Sequence, residues 1–150
     1  REFGFNALLS LRLEKGFGIW SAEFTQGYTP GMTGMDRWID WEKEEFIGQA
    51  AAIKERDGNG PAQKLVMLEI DADDADASGY EPVWNNDSLV GFVTSGGYGH
   101  TLKKSLAMAL VNNDLANENQ KLKVHVVGVE KDATVIQASP YDPEGEVMRV

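Results

Sequence analysis

The stretch Lys64-Leu65-Val66-Met67-Leu68-Glu69-Ile70 is the first of six short runs rich in Val, Leu and Ile that fill the second half of the chain. The other five runs are 81–84, 89–94, 106–111, 122–130 and 133–138, and their separators carry turn residues, including Asn85-Asn86-Asp87 and Glu130-Lys131-Asp132. Short apolar runs joined by such turns indicate antiparallel strands. We therefore predict a small six-stranded barrel or sandwich, and closure into a barrel has the advantage that it hides the sheet edges.

Three segments of this half need a choice between structures. Gly96-Gly97-Tyr98-Gly99 lacks the Lys-Ser or Lys-Thr ending of a phosphate loop and the strand-to-helix setting of a dinucleotide fingerprint, so we predict a tight turn at a strand end. The acidic run 71–76 lacks the residues that complete a calcium loop, and we predict a solvated loop. Residues 101–111 suit either a helix or a strand, and we predict a turn followed by a strand.

The first half of the chain has a mixed pattern. Apolar residues between Asn6 and Glu14 predict a short helix that ends in a left-handed cap at Gly16. Residues 17–28 are predicted as loop or edge strand, residues 38–41 as a strand, and residues 46–56 as a helix. The turn residues Asn59-Gly60-Pro61 mark the junction with the strand-rich half, so the predicted fold class is α+β.

Composition excludes several classes of function. The chain has no cysteine, so disulfides, thiolate metal sites and a cysteine nucleophile are excluded. A net charge of -10 repels phosphate backbones and anionic lipid surfaces, and we expect neither a nucleic-acid nor a membrane partner. The apolar runs are too short to span a bilayer and the start has no signal-peptide pattern, so we expect a cytoplasmic protein. Because it opens without Met directly into Phe3 and Phe5, we expect the chain to begin inside a domain.

The residue chemistry predicts no catalytic group and no metal ligand. His100 and His125 have no second histidine at ligand spacing, and we expect His125 to alternate along a strand. Ser95 and His100 suggest a nucleophile and its base, but the chain has no Gly-x-Ser-x-Gly elbow and offers no third group.

An ordered series of motifs across nearly the whole chain resembles the aminomethyltransferase superfamily, which includes the glycine-cleavage T protein. The series begins with Ser10-Leu11-Arg12-Leu13-Glu14-Lys15-Gly16. The further matches are Tyr28-Thr29-Pro30, Asp40-Trp41-Glu42-Lys43, Phe46-Ile47-Gly48-Gln49, Lys64-Leu65-Val66, Gly91-Phe92-Val93-Thr94-Ser95-Gly96 and Leu102-Lys103-Lys104-Ser105-Leu106-Ala107. Within the superfamily, residues 16–20, 96–100 and 141–145 look like the dimethylglycine and sarcosine dehydrogenase branch.

The resemblance implies a carboxy-terminal part of a larger enzyme. Residues 1–60 would end a folate-binding α+β domain, and residues 61–150 would form a six-stranded antiparallel β-barrel. In that branch a preceding amino-terminal portion holds FAD and oxidises a small methylamine, and the folate side passes the one-carbon unit to tetrahydrofolate. Neither the flavin fingerprint nor the family's catalytic acid lies in this chain, so we expect it to be inactive alone. The alternatives are a glycine-cleavage aminomethyltransferase, a folate-dependent demethylase, or a non-catalytic folate-binding or interaction domain.

The resemblance also implies folate-binding residues. Phe17 takes the place of an aromatic residue that lines the T-protein folate pocket, Trp20 is nearby, and Arg149 is the candidate for a tail arginine that reaches folate; a core position is an equal alternative for both aromatics. A folate-contacting arginine of the T proteins is replaced here by Leu8. For the motif charges Arg12 and Glu14 we favour a structural role, as an ion pair or cap that orients the helix.

Overall fold

The computed structural model describes residues 2–149. The first part of this range contains three α-helices, α1 (Phe5–Lys15), α2 (Pro30–Thr33) and α3 (Gln49–Asp57), and a 3-10 helix at Asp36–Trp38. Six strands follow: β1 (Gln63–Ile70), β2 (Pro82–Asn85), β3 (Ser88–Gly99), β4 (Lys104–Asn112), β5 (Lys121–Val126) and β6 (Val129–Ile136). Further 3-10 helices lie at Asn113–Leu115 and Val147–Arg149. Among these described residues, no helix is both long and apolar enough to cross a membrane.

The six strands form a closed barrel in the order β1-β4-β3-β2-β5-β6, and every neighbouring pair is antiparallel. The predicted six-stranded antiparallel barrel is thereby confirmed. Small and β-branched side chains fill its interior, mainly Val66, Leu68, Ile70, Val83, Val93, Ala107, Ala109, Val111, Val124, Val126 and Val135. The β2–β5 seam is the shortest, because only Val83 and Trp84 pair there, with Val124 and Lys123.

Strand β4 is buried on both faces. Ala107, Ala109 and Val111 point into the barrel, whereas Leu106 and Met108 pack outside it against Leu13 of α1 and Met67 of β1. The helix therefore covers the outer face of the strand, and the apolar run loses the alternation that a half-exposed strand would show. This explains why residues 101–111 were compatible with two structures; the predicted turn followed by a strand is confirmed.

The helix predicted at 6–14 is confirmed as α1. Gly16 ends it at φ 72° in the left-handed region, with its N–H donated to the Leu13 carbonyl, and Phe17 N–H is donated to the Arg12 carbonyl. These two bonds satisfy carbonyls that the last helical turn leaves free. A Cβ on Gly16 would also lie 1.9 Å from the Ala138 carbonyl oxygen, so the close approach of the tail excludes any larger residue.

The tight turn predicted at 96–99 is wrong, because this segment continues β3 and pairs with 104–107 of β4. The turn lies at 100–103 instead. The glycines allow α1 to pack close to the strand: a Cβ on Gly97 would lie 3.4 Å from the Leu13 side chain, and one on Gly99 would lie 3.0 Å from the Glu14 side chain. Ser10 also donates its hydroxyl to the Tyr98 carbonyl at 2.7 Å.

Two further predictions are wrong. Residues 130–132 belong to β6 rather than to a turn, since the hairpin turns at Val127-Gly128, where both φ angles are positive. Residues 38–41 form no strand, because the closed barrel offers them no edge to pair with. The indole of Trp41 instead lies under the Arg56 guanidinium, 4.4 Å from ring centroid to Cζ.

Candidate functional site

The sequence-predicted aromatics lie in the loop that follows α1, which we call the aromatic loop (residues 17–22). Phe17 is 53% exposed and Trp20 is 80% exposed, so neither occupies the core. A core position was the alternative for both residues, and neither lies in the core of this chain. Their assignment to a folate pocket stays a prediction.

A buried polar network lies beneath the aromatic loop. Glu23 is fully buried, and its Oε2 accepts the Ile19 N–H at 2.8 Å and the Arg12 Nη1 at 3.4 Å. Its Oε1 accepts the Ser95 hydroxyl of β3. Arg12 also donates to the Phe17 carbonyl at 3.4 Å. The network thus joins α1, the loop and the barrel around one carboxylate.

A β-bulge in β3 directs Ser95 toward this network. Val93 pairs with Ala109, but Ser95 pairs with Met108, so Thr94 is an extra residue in the strand. Without the bulge Ser95 would share the inner face with Val93, since side chains two residues apart lie on the same side. The bulge puts it on the outer face instead. Because its hydroxyl binds Glu23, Ser95 is not paired with His100, whose ring contacts Tyr98 edge-on at 5.2 Å.

Arg12 and Glu14 make the structural contacts that the sequence predicted for them, with different partners. Arg12 forms an ion pair with Glu23, and burial lowers the pKa of the guanidinium more than the neighbouring Glu23 raises it. Glu14 is buried, and its Oε1 accepts the N–H groups of Thr101 at 2.6 Å and Leu102 at 2.8 Å. These two side chains therefore attach the helix to the loop, through Arg12, and to the β3–β4 turn, through Glu14.

The carboxy-terminal tail returns to the same end of α1. Tyr141 N–H is donated to the Glu14 carbonyl at 2.9 Å, and Lys15 binds both the carbonyl and the side chain of Asp142. The Asp142 pKa is lowered: burial opposes the shift, but the amides of Val147 and Glu146 and the Lys15 ammonium outweigh it. A methyl group on Gly145 would lie 3.9 Å from both Lys15 Nζ and Arg149 Nη2. The tail thus brings the exposed Arg149 close to Lys15, two residues before Phe17.

These contacts bring the three predicted residues to one end of α1. An exposed aromatic ring can stack on a flat heteroaromatic ring and an exposed arginine can bind a carboxylate, so these residue types are compatible with a pterin that carries a glutamate tail. Leu8, in place of the family's arginine, is half-exposed on the same helix and offers no charge.

Sequence reasoning missed Glu23, which follows the matched motif and precedes Tyr28-Thr29-Pro30. It also missed Tyr28, a half-buried phenol whose pKa is raised by burial, by Tyr80 and by Glu23. A single acidic residue among aromatics was the available signal for Glu23.

Within residues 2–149 no group of three His, Asp or Glu side chains could hold a metal ion. His125 alternates on β5 as predicted and stacks on Trp84, with ring centroids 5.4 Å apart.

Comparison with known proteins gives three kinds of match. Residues 63–142 match the family model described as glycine cleavage T-protein C-terminal barrel domain. The chain is 36% identical over 136 residues to mitochondrial dimethylglycine dehydrogenase of Rattus norvegicus; the matched region is 91% of this chain and 16% of that protein. It is 33% identical over 142 residues to an aminomethyltransferase of Synechocystis sp., which covers 94% of this chain and 38% of that protein.

The fold has a solved counterpart. The crystal structure of glycine cleavage system aminomethyltransferase T from Bartonella henselae superposes with a TM-score of 0.84 at 25% identity, over 93% of this chain and 39% of that one. The chain therefore spans well under half the length of each of these relatives.

Proposed function

This chain belongs to the glycine cleavage T-protein C-terminal barrel domain family, and on that basis we propose that it is the folate-side portion of a flavin-dependent N-methyl amine dehydrogenase of the dimethylglycine and sarcosine type. The observation that carries this proposal is the 36% identity to dimethylglycine dehydrogenase over 91% of the chain. In the proposal, residues 1–60 end the folate-binding domain and residues 61–150 are the carboxy-terminal barrel.

The surface of α1 supports the proposal that a larger enzyme surrounds this chain. Leu8 and Leu11 lie on the side of the helix away from the barrel, and Phe5 lies at its start; all three are about half or more exposed. Leu13, on the opposite side, is buried against Met67 and Met108. A helix that is apolar on both sides is normally covered on both. The proposed cover is the amino-terminal portion of the same enzyme, which would also hold the FAD and meet the methylamine.

The end of α1 provides the groups that would hold tetrahydrofolate. Phe17 and Trp20 would stack on the pterin, and Arg149 would bind a carboxylate of its glutamate part. Tetrahydrofolate supplies the nitrogen atoms that accept the one-carbon unit. The residues of this chain bind and orient the acceptor, and the proposal assigns none of them a proton transfer or a covalent bond.

The second candidate is a glycine-cleavage aminomethyltransferase, favoured by the 33% identity to such an enzyme and by the TM-score of 0.84 to another. A folate-dependent demethylase and a non-catalytic folate-binding or interaction domain are further alternatives with this fold.

One set of measurements on the intact protein separates these functions. The dehydrogenase should carry bound flavin, reduce an electron acceptor with dimethylglycine or sarcosine, and yield the one-carbon adduct when tetrahydrofolate is present. Tetrahydrofolate-dependent transfer without bound flavin would identify a transferase or demethylase instead. Folate binding with no turnover would favour a binding domain, and the absence of folate binding would refute the folate-side assignment.

A further inference from the structure

The network around Glu23 stands out because it is costly and yet lies under an exposed loop. Removing a carboxylate and a guanidinium from water costs several kcal/mol per ion, and the attraction between them offsets this only when the geometry is good. Here one nitrogen–oxygen contact of 3.4 Å joins the pair, and Arg12 Nε is buried without a partner among the described residues. The pair is therefore a poor source of stability.

The network does fix the backbone of the aromatic loop. Glu23 binds the amide of Ile19, which directly precedes Trp20, and Arg12 binds the carbonyl of Phe17. Both polar contacts go to the main chain between the two exposed aromatics, one just after Phe17 and one just before Trp20. A loop held in this way has its main chain, and so the Cα–Cβ directions of Phe17 and Trp20, in one arrangement before any ligand arrives.

Ser95 connects this loop to the barrel. Its hydroxyl reaches Glu23 across 72 positions of sequence, and it does so only because the Thr94 bulge turns it outward. A bulge leaves a residue out of the ladder of hydrogen bonds and weakens the strand. Bulges also bend the strands of closed barrels, and a second register shift lies at Val83–Trp84; the bulge at Thr94 differs in that it sets Ser95 against Glu23.

We propose that Ser95, through Glu23, is a positioning residue by which the barrel holds Phe17 and Trp20 in the arrangement that binds the ligand of the aromatic loop. This inference rests on the proposed function for the identity of that ligand, tetrahydrofolate. It assigns the barrel a role in acceptor binding although no barrel side chain would touch the acceptor.

The test uses the intact protein with Ser95→Ala and a matched control, Ser105→Ala. Ser105 is also a buried barrel serine, but its hydroxyl has no hydrogen-bond partner in the described part of the chain. Incorporation of 5-fluorotryptophan gives one 19F resonance per tryptophan, and Trp20→Phe assigns the Trp20 signal. We expect Ser95→Ala to shift or broaden the Trp20 resonance and to weaken tetrahydrofolate binding on the order of tenfold, the scale of a lost hydrogen bond to a charged group. Ser105→Ala should change neither.

The Trp20 resonance and the folate affinity test separate parts of the proposal. An unchanged Trp20 resonance in Ser95→Ala overturns the positioning role whatever happens to folate. A changed resonance with unchanged folate affinity overturns the link between the network and binding. If the unsubstituted protein does not bind tetrahydrofolate, the proposed function fails while the resonance still decides the positioning role. Should Ser95→Ala not fold, Ser95→Cys keeps the side-chain shape at a slightly larger volume, weakens the donor and is judged by the same criteria.

Discussion

The buried pair of Arg12 and Glu23 allows a sharp test of the view that it serves position more than stability. The perturbation is a double-mutant cycle of Arg12→Met, Glu23→Gln and the double variant. Each single substitution leaves one charge buried without its counter-charge, at 9% exposure for Arg12 and 0% for Glu23. The double substitution removes both charges and keeps the approximate volumes.

The magnitudes follow from the geometry. Breaking a well-made buried pair costs about 3–5 kcal/mol. Arg12 and Glu23 share only one contact of 3.4 Å, and two other hydrogen bonds continue to stabilise the Glu23 carboxylate when Arg12 is replaced. We therefore expect each single substitution to lower the free energy of unfolding by about 2–3 kcal/mol. The double variant should lose only about 1–2 kcal/mol, because no uncompensated charge remains. The expected coupling, which is the sum of the two single losses less the double loss, is therefore about 3–4 kcal/mol.

The assay is urea unfolding at neutral pH, followed by circular dichroism. The control cycle is the exposed pair Lys104 and Glu69, whose side chains are 48% and 36% exposed and whose coupling should be about 0–1 kcal/mol. If the double variant loses the full sum of the single losses, the two charges stabilise the protein independently. That outcome would refute the reasoning given for the network.

Three further predictions concern the site and the tail. Phe17→Ala should weaken tetrahydrofolate binding by about 1–3 kcal/mol, yet lower the unfolding free energy by less than about 1.5 kcal/mol because the ring is half-exposed. Calorimetry measures the affinity and urea unfolding measures the stability, with Phe46→Ala as the control. An unchanged affinity in Phe17→Ala would contradict the assignment of Phe17 to the site. The isolated chain should show no turnover of dimethylglycine or sarcosine, and any such activity would contradict the division of labour proposed here. Since the Asp142 pKa is lowered in the folded protein, the stabilisation that its carboxylate gives the tail should be complete at neutral pH and fade as the pH falls below about 4. Asp142→Asn should remove this pH dependence. The measurement is the rate at which a protease cleaves the tail as a function of pH.

The barrel was predictable because its signals are local. Each apolar run and each turn-rich separator can be recognised without knowing what packs against it, and α1 with its Gly16 cap is equally self-contained. The errors arose where a distant element decides the outcome. Residues 38–41 have strand composition but no edge to pair with, and residues 96–99 look like a turn because their glycines accommodate a helix from the far end of the chain.

The candidate site was predictable only in part, for the same reason. Phe17 and Trp20 came from a resemblance, and the structure adds only that both are exposed. The network beneath them could not be found from the sequence, since nothing local marks Ser95 as the partner of Glu23. That contact depends on a one-residue bulge, and a shift by one residue turns a side chain to the opposite face of a sheet.

The short β2–β5 seam has a consequence for how the barrel moves. A closed ring of strands opens where the fewest hydrogen bonds must break, and two paired positions there compare with eight between β1 and β4. Opening converts the ring into a curled sheet with β2 and β5 as free edges, and such edges recruit strands from other molecules. Lys121 lies on β5, and its charge along that edge would oppose intermolecular pairing in an opened barrel.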